Sequence, residues 1–134
     1  MLDIDVITIF PAMLDGFLGE SMMKRASAMG AVTFRTIDLR DFTTDRHRTT
    51  DDRPYGGRPG MVMKADPIFK AVASVRREDS RVILMTPSGT VFKQAIAREL
   101  TASSHLIFIC GHYEGVDERV REALVDMELS IGDY

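Results

Sequence analysis

The chain has 134 residues, 45% of them hydrophobic, which is enough for the core of one domain and argues against general disorder. A formal net charge of −3 and a pI of about 5.6 argue against a uniformly basic surface for nucleic acid or anionic membranes. The single cysteine, Cys110, argues against a disulfide framework and favours a reducing compartment. With no signal peptide and no apolar run of about 20 residues, we expect a cytoplasmic protein without a membrane segment.

The first half of the chain alternates strand and helix patterns. Residues 4–10 form a nearly continuous β-branched apolar run, typical of a strand covered on both faces, and Pro11 ends it. Apolar residues at helical spacing then predict one helix, for which Gly30 is a suitable C-terminal cap. The apolar positions of this helix are Met13, Leu14, Phe17, Leu18, Met22 and Met23. Alternating residues predict a second strand over residues 32–39.

The second half repeats this alternation. Further strands are predicted at residues 81–85, 105–110 and 127–131. Helices are predicted at residues 65–75, at residues 90–100 and in a short segment after Asp117. Thr90 is a candidate cap with Phe92 facing inward, whereas His105 and Cys110 are predicted to be structural residues of a buried strand. Strands alternating with helices predict an α/β fold, with a mostly parallel sheet of about five strands and helices on both faces.

Ligands of open α/β sheets bind outside the carboxyl ends of the strands, which makes residues 86–89, 111–115 and 131–134 candidates for a site. The stretch GHYEG combines two glycines, which permit a close backbone approach, with Tyr113 and the carboxylate of Glu114. The same pattern also fits a tight turn with Glu114 in solvent, and the residues leave both readings open. Dinucleotide, P-loop and serine-hydrolase motifs are absent, and the histidines lack metal-ligand spacing.

The most unusual segment is DFTTDRHRTTDDRPYGGRPGM, residues 41–61, a long loop rich in charge and glycine. Four of its side chains could neutralise RNA phosphates, namely Arg46, His47, Arg48 and Arg53. Tyr55, beside two glycines, could stack on a base. A solvated linker is the alternative, and the pattern alone does not decide between them. If the loop folds over RNA, we expect it to be mobile until RNA binds.

Three stretches, DFTTDRHRTTDDRPYGGRPGM, CGHYEGVDERV and SIGDY, closely resemble the bacterial tRNA (guanine-N(1))-methyltransferase family in order and spacing. The opening ITIFPAML fits the same pattern, so the resemblance covers essentially the whole chain. It implies a SPOUT, or trefoil-knot, methyltransferase that uses S-adenosylmethionine to methylate ring nitrogen 1 of guanosine 37, next to the anticodon of tRNA. It also implies a homodimer whose sites use both subunits, and Mg²⁺ as a further cofactor that the family is thought to use.

Carried over by position, the resemblance implies a cofactor pocket formed by Leu84, Met85, Thr86, Pro87, Gly111, Tyr113, Glu114, Gly115, Ser130, Ile131, Gly132, Asp133 and Tyr134. It implies tRNA contacts from Arg46, His47, Arg48, Asp51, Arg53, Tyr55, Gly57 and Gly60. Glu114 is implied to position the guanine or a Mg²⁺ ion, and no other metal ligand is assigned. Arg58 departs from the family pattern because it stands where the family usually has glycine.

The family continues beyond SIGDY with a segment that completes the knot, a linker holding an aspartate thought to be the general base, and a helical tRNA-binding domain. We therefore expect residues 1–134 to be one S-adenosylmethionine-binding SPOUT domain, truncated at the knot and without the general base. On this interpretation the chain alone gives no turnover. The alternative is a non-catalytic α/β module that binds RNA or a nucleotide.

Overall fold

The computed structural model describes residues 1–52, 61–112 and 115–132. Within them the strands are β1 (Leu2–Thr8), β2 (Val32–Asp38), β3 (Asp51–Asp52), β4 (Val62–Met63), β5 (Ser80–Val91), β6 (His105–Cys110) and β7 (Met127–Ser130). The α-helices are α1 (Pro11–Leu18), α2 (Ser21–Ala28), α3 (Ala65–Val75), α4 (Gln94–Leu100) and α5 (Glu118–Leu124), and a 3₁₀ turn covers Leu39–Phe42. No helix in these residues is long and apolar enough to cross a membrane.

Five strands form one parallel sheet in the order β2-β1-β6-β5-β7. The sheet is parallel because each return connection contains at least one helix, as parallel strands require. This arrangement confirms the predicted α/β fold. The short antiparallel pair β3–β4 was not predicted and lies at the base of the long loop.

Helices cover both faces of the sheet, as predicted. On the first face, α3 and α5 pack on the central strands, and the buried cluster includes Ile68, Val120 and Ile107. On the second face, α4 contributes Leu100 to a smaller cluster with Ile83 and other strand residues. The two clusters use alternate residues of the same strands, which explains why those strands are apolar almost without interruption.

The region predicted as a single helix forms two. Helix α1 ends at Leu18 and α2 begins at Ser21, whose φ is +51°. Neither helix has a buried residue, and Met13, Phe17 and Met22 are 76%, 61% and 70% exposed. The prediction for Gly30 is confirmed: its φ is +75°, and the bonds Gly30 N–H to Ser27 O and Ala31 N–H to Ala26 O close α2 in a Schellman motif.

The prediction of a turn after Met85 and of a helix capped by Thr90 was wrong. Strand β5 continues to Val91, and its register against β7 shifts between Met85 and Thr90. Helix α4 therefore begins only at Gln94, and Phe92 is 45% exposed instead of facing inward. The physical reason is a non-local pairing, because Thr90 pairs with Leu129 and the Phe92 N–H donates to the Ser130 carbonyl.

The other elements follow the predictions closely. Helix α3 and strand β6 have the predicted bounds, and the Asp117 side chain caps α5 by accepting a bond from the Arg119 N–H. The structural role predicted for His105 is also confirmed. This residue is 1% exposed, and its ring nitrogens bond to Ser80 and Asp5.

Candidate functional site

A cavity of about 700 Å³ lies at the carboxyl ends of β5 and β6, where the parallel sheet predicts a ligand site. Part of its lining matches the residues predicted for the cofactor: Leu84, Met85, Thr86, Pro87, Gly111 and Gly115. The lining also includes Ser88 and His112, which lie in two of the candidate segments, and four residues outside them that were not predicted, namely Val116, Glu118, Arg121 and Glu128. The fold thus brings together residues 84–88, residues 111–121 and Glu128, which are separated in the sequence.

The segment after β7 does not line this cavity in the described residues. Ser130 is 4% exposed, and its hydroxyl donates to the Gly132 carbonyl oxygen at 3.0 Å. Ile131 is 72% exposed. The predicted cofactor residues Tyr113, Glu114, Asp133 and Tyr134 lie outside the described residues.

The turn that follows β6 forms one wall of the cavity. Gly115 has a φ of +129°, which favours glycine at this position, and its N–H donates to the His112 carbonyl. The His112 ring meets Phe10 edge to face with 5.1 Å between ring centroids. The Arg40 guanidinium lies 5.5 Å from the Phe10 centroid, and Arg40 also donates to the Ile9 carbonyl. These contacts attach the turn to the end of β1.

The base of the long loop is joined to the same wall by backbone hydrogen bonds. Strand β4 pairs with β3, and Met63 of β4 forms a parallel bridge with Val116. The Met63 N–H donates to the Gly115 carbonyl at 2.9 Å, and the Asp117 N–H donates to the Met63 carbonyl at 2.9 Å. Because Met63 is fully buried, this joint lies in the core. The loop therefore leaves and re-enters the fold beside the cavity.

Part of the long loop has structure of its own before β3. Asp45 accepts bonds from the Thr49 N–H and hydroxyl, and these bonds lower the pKa of Asp45, with the hydroxyl as the largest cause. Arg48 has a φ of +53° and pairs with Asp41 at 2.5 Å. Thr50, although polar, is buried.

Only some of the residues predicted to contact tRNA lie in the described part of the long loop. Arg46, His47 and Arg48 are exposed, and Asp51 is half-buried in β3. The remaining predicted contacts lie outside the described residues: Arg53, Tyr55, Gly57 and Gly60. The departure at Arg58 lies there as well.

Two carboxylates and a guanidinium occupy one side of the cavity. Arg121 of α5 pairs with Glu118 on the same helix, and its Nη1 lies 4.0 Å from Glu128 Oε2 on β7. A weak signal for Glu118 and Arg121 existed in the sequence, since the first turns of a helix that follows a strand lie near the ligand edge. No local signal pointed to Glu128, because its place depends on β7 lying next to β5.

Two further groups near the cavity carry shifted pKa values. Burial raises the pKa of the Cys110 thiol at the end of β6, so this cysteine remains a protonated thiol at neutral pH. Bonds from Arg119, chiefly from its side chain, lower the pKa of Asp117. In the described part of the chain, no group of three or more histidine, cysteine or carboxylate side chains is arranged to hold a metal ion.

Comparisons with known proteins agree with this architecture. The family model for tRNA (Guanine-1)-methyltransferase TrmD matches residues 2–134. A tRNA (guanine-N(1)-)-methyltransferase of Dictyoglomus turgidum is 58% identical over 134 residues, which are 100% of this chain and 54% of that protein. Its counterpart in Carboxydothermus hydrogenoformans is 54% identical over 131 residues, 98% of this chain and 52% of that protein.

A third relative with the same name, from Chloroflexus aggregans, is 56% identical over 133 residues, 97% of this chain and 52% of that protein. The chain thus spans about half the length of the curated relatives that it matches. The match to the family model extends over the whole of the sheet, the cavity and the long loop. The chain therefore belongs to the tRNA (guanine-1)-methyltransferase family.

Proposed function

We propose that this chain is the S-adenosylmethionine-binding part of an enzyme that methylates ring nitrogen 1 of guanosine 37 in tRNA, next to the anticodon. The observation that carries the proposal is the backbone joint at Met63, which fixes the base of the long loop to the cavity wall at Gly115 and Asp117. Methyl transfer requires donor and acceptor to be held together in one orientation. A cofactor cavity beside a loop with exposed cationic side chains meets this requirement.

The described lining fits S-adenosylmethionine. Its volume of about 700 Å³ is typical of small-molecule sites. Leu84, Met85 and Val116 offer apolar contact for the adenine, and Thr86, near the register shift of β5, offers backbone and hydroxyl groups for the ribose. When bound, S-adenosylmethionine supplies a methyl group activated on a sulfonium. The role of this chain is to bind and orient the cofactor and to exclude water around it.

The proposed cofactor and substrate contacts extend to residues outside the described ranges. We assign Tyr113, Asp133 and Tyr134 to the cofactor wall, together with Ser130, Ile131 and Gly132. Glu114 is assigned to positioning the guanine or a Mg²⁺ ion. Support for these assignments comes from the family membership and from the position of the flanking residues Gly111 and Gly115 in the cavity wall.

For tRNA, the proposal assigns phosphate contacts to Arg46, His47 and Arg48, which are exposed on the loop. Arg48 would exchange its half-exposed pair with Asp41 for a phosphate, at small cost, since exposed pairs contribute about 0–1 kcal/mol. Asp51 and the remaining loop residues are assigned to the nucleotide itself, namely Arg53, Tyr55, Gly57 and Gly60.

We further propose a cytoplasmic homodimer with a SPOUT-type trefoil knot. Support for a second subunit comes from α1 and α2, whose side chains Met13, Phe17 and Met22 are largely exposed on the surface of the chain. Adjacent exposed apolar side chains on a protein surface commonly mark an interaction site. The family resemblance implies that each site of the dimer uses both subunits.

The test of the proposal is calorimetric titration of S-adenosylhomocysteine into the purified chain, with circular dichroism to show that the chain is folded. We expect binding at one site, because the described lining already supplies apolar and polar groups from β5, the turn after β6 and α5. The matched variant is Gly111→Leu, which we expect to abolish binding. A Cβ at Gly111 would meet only ordinary contacts, 3.7 Å from Val116 Cγ1 and 3.8 Å from Met85 O, so the added side chain occupies the cavity without straining the backbone.

The control is Gly16→Leu, since a Cβ at Gly16 in α1 meets no atom within 4 Å. This variant should bind as the parent chain does. A folded chain that binds no S-adenosylhomocysteine would contradict the proposal for residues 1–134. Binding that persists in Gly111→Leu would show that the ligand lies elsewhere.

A further inference from the structure

The charged side of the cavity has a specific arrangement in the sheet. Glu128 on β7 is paired in register with Leu84 on β5, so the two side chains project from the same face of the sheet, toward α5. Arg121 of α5 approaches that face and donates to Glu118, its neighbour one turn earlier on the helix. All four residues line the cavity.

Charges on this side are only partly balanced. Glu118 and Glu128 supply two carboxylates, and Arg121 supplies one guanidinium. Arg121 forms a hydrogen bond with Glu118, but its Nη1 reaches Glu128 Oε2 only at 4.0 Å, which is too far for a hydrogen bond. The Glu128 side chain is 32% exposed, so solvent screens its charge incompletely. Glu128 is therefore the less compensated carboxylate of the cavity.

We infer that Glu128 makes this cavity select a positively charged sulfonium ligand over the corresponding neutral thioether. The inference rests on the proposed function, because it concerns the same cavity. S-adenosylmethionine and S-adenosylhomocysteine share the adenosine, the amino group and the carboxylate, and they differ by one methyl group and the positive charge on sulfur. A carboxylate in the lining attracts that extra charge, and the product loses the attraction once the methyl group has left.

Arg121 acts in the opposite direction. Its guanidinium offsets the field of the carboxylates, so removal of its charge should increase the preference for the sulfonium. The geometry thus assigns effects of opposite sign to two residues of the same ion-pair group. A purely structural role does not produce this pattern, because loss of packing weakens both ligands together.

The experiment is calorimetric titration of both ligands into the chain and into two variants, Glu128→Gln and Arg121→Gln. Glu128→Gln should weaken S-adenosylmethionine roughly three- to tenfold more than S-adenosylhomocysteine, because both ligands carry the amino group but only the first carries the sulfonium charge. Arg121→Gln should raise the ratio of the two affinities in favour of the sulfonium. The control is Glu122→Gln, an exposed residue of α5 that does not line the cavity.

Salt provides a test that needs no variant, because the affinity ratio of the parent chain should fall as ionic strength rises. An equal loss of both affinities in Glu128→Gln, or a ratio independent of salt, would overturn the inference while the proposed function stands. If the folded parent chain binds neither ligand, the proposed function fails and the inference fails with it.

Discussion

Gly89 lies where the backbones of β5 and β7 approach each other closely. A Cβ built at this residue would lie 2.6 Å from the Leu129 nitrogen and 2.7 Å from the Glu128 carbonyl carbon. Both are backbone atoms of β7, which cannot rotate away as a flexible side chain could. Glycine is therefore required at position 89 because β5 and β7 lie too close together for a side chain, and not because of a positive φ.

We predict that Gly89→Ala lowers the free energy of unfolding by about 1–3 kcal/mol, the usual cost of overpacking a well-packed site. Urea denaturation followed by circular dichroism measures this change. In the control Gly16→Ala, the free energy should stay equal or rise by about 0.5–1 kcal/mol, because a helical glycine with open space around it gains from a methyl group. An unchanged unfolding midpoint for Gly89→Ala would mean that β7 is not held against β5 in this way.

At the scale of elements, the start of α5 connects the cavity with the base of the long loop and with the buried cluster on the first face of the sheet. Asp117 caps the helix by accepting from the Arg119 N–H at 2.9 Å, and its own N–H donates to Met63 of β4. Arg119 also reaches the same carboxylate with its side chain. These bonds explain why the pKa of Asp117 lies below its ordinary value of 3.8.

We predict that Asp117→Ala costs about 1 kcal/mol of unfolding free energy at neutral pH, as is typical for loss of an N-cap. The folded pKa is lower than the unfolded one, so this contribution is complete above the unfolded pKa and disappears as the pH falls through the folded pKa. Denaturant titrations at neutral pH and at a series of acidic pH values measure the difference between parent and variant. A difference that stays constant below pH 3.8 would contradict the assignment, and Glu122→Ala on the exposed face of α5 is the control.

Most elements could be predicted because their signals are local. Helix α3 and strand β6 have clear periodicity and sharp ends, and their predicted bounds were correct. The single helix predicted before Gly30 was wrong because the apolar spacing continues across Gly19, where the chain changes direction. The continuation of β5 through TPSG could not be predicted from local pattern, since Thr90 is held by Leu129, a residue distant in sequence.

At the scale of the whole molecule, the two ends of the sheet differ in chemistry. The cavity lies at the carboxyl ends of the strands, and its edge could be predicted from the α/β pattern. Its charged side could not, because the position of Glu128 follows from strand order, which the residues do not specify locally. Toward the amino ends, the buried Asp5 on β1 and His105 on β6 form the centre of a polar network that extends to Arg35 on β2 and Ser80 on β5.

Every member of this network is satisfied. Asp5 is fully buried and accepts from Arg35 Nε at 2.7 Å and Nη2 at 2.9 Å. Its Oδ2 lies 2.6 Å from His105 Nε2, and His105 Nδ1 lies 2.5 Å from the Ser80 hydroxyl. The hydroxyl oxygen also accepts from the Arg77 N–H, so its proton is available for Nδ1, and an N–H at Nε2 can donate to Asp5.

We predict that removal of either Asp5 or His105 lowers stability, because each leaves a buried polar partner unpaired. Asp5→Leu leaves the buried imidazole without an acceptor and should cost about 1–3 kcal/mol, whereas the guanidinium of Arg35, whose side chain is 61% exposed, is solvated by water. His105→Leu should cost about 1–3 kcal/mol, since Asp5 keeps both bonds from Arg35. The double variant should cost less than the sum, because the second change removes a group that the first has already left unpaired.

Urea denaturation of the parent, both single variants and the double variant measures these differences as a double-mutant cycle. Affinity for S-adenosylhomocysteine, measured where each variant is still folded, should stay at the parent value, because the network and the cavity occupy different ends of the strands. Additive costs of the two changes in the double variant would contradict the coupling of Asp5 and His105. Loss of ligand affinity in a fully folded His105→Leu would instead mean that the amino end of the sheet influences the cavity.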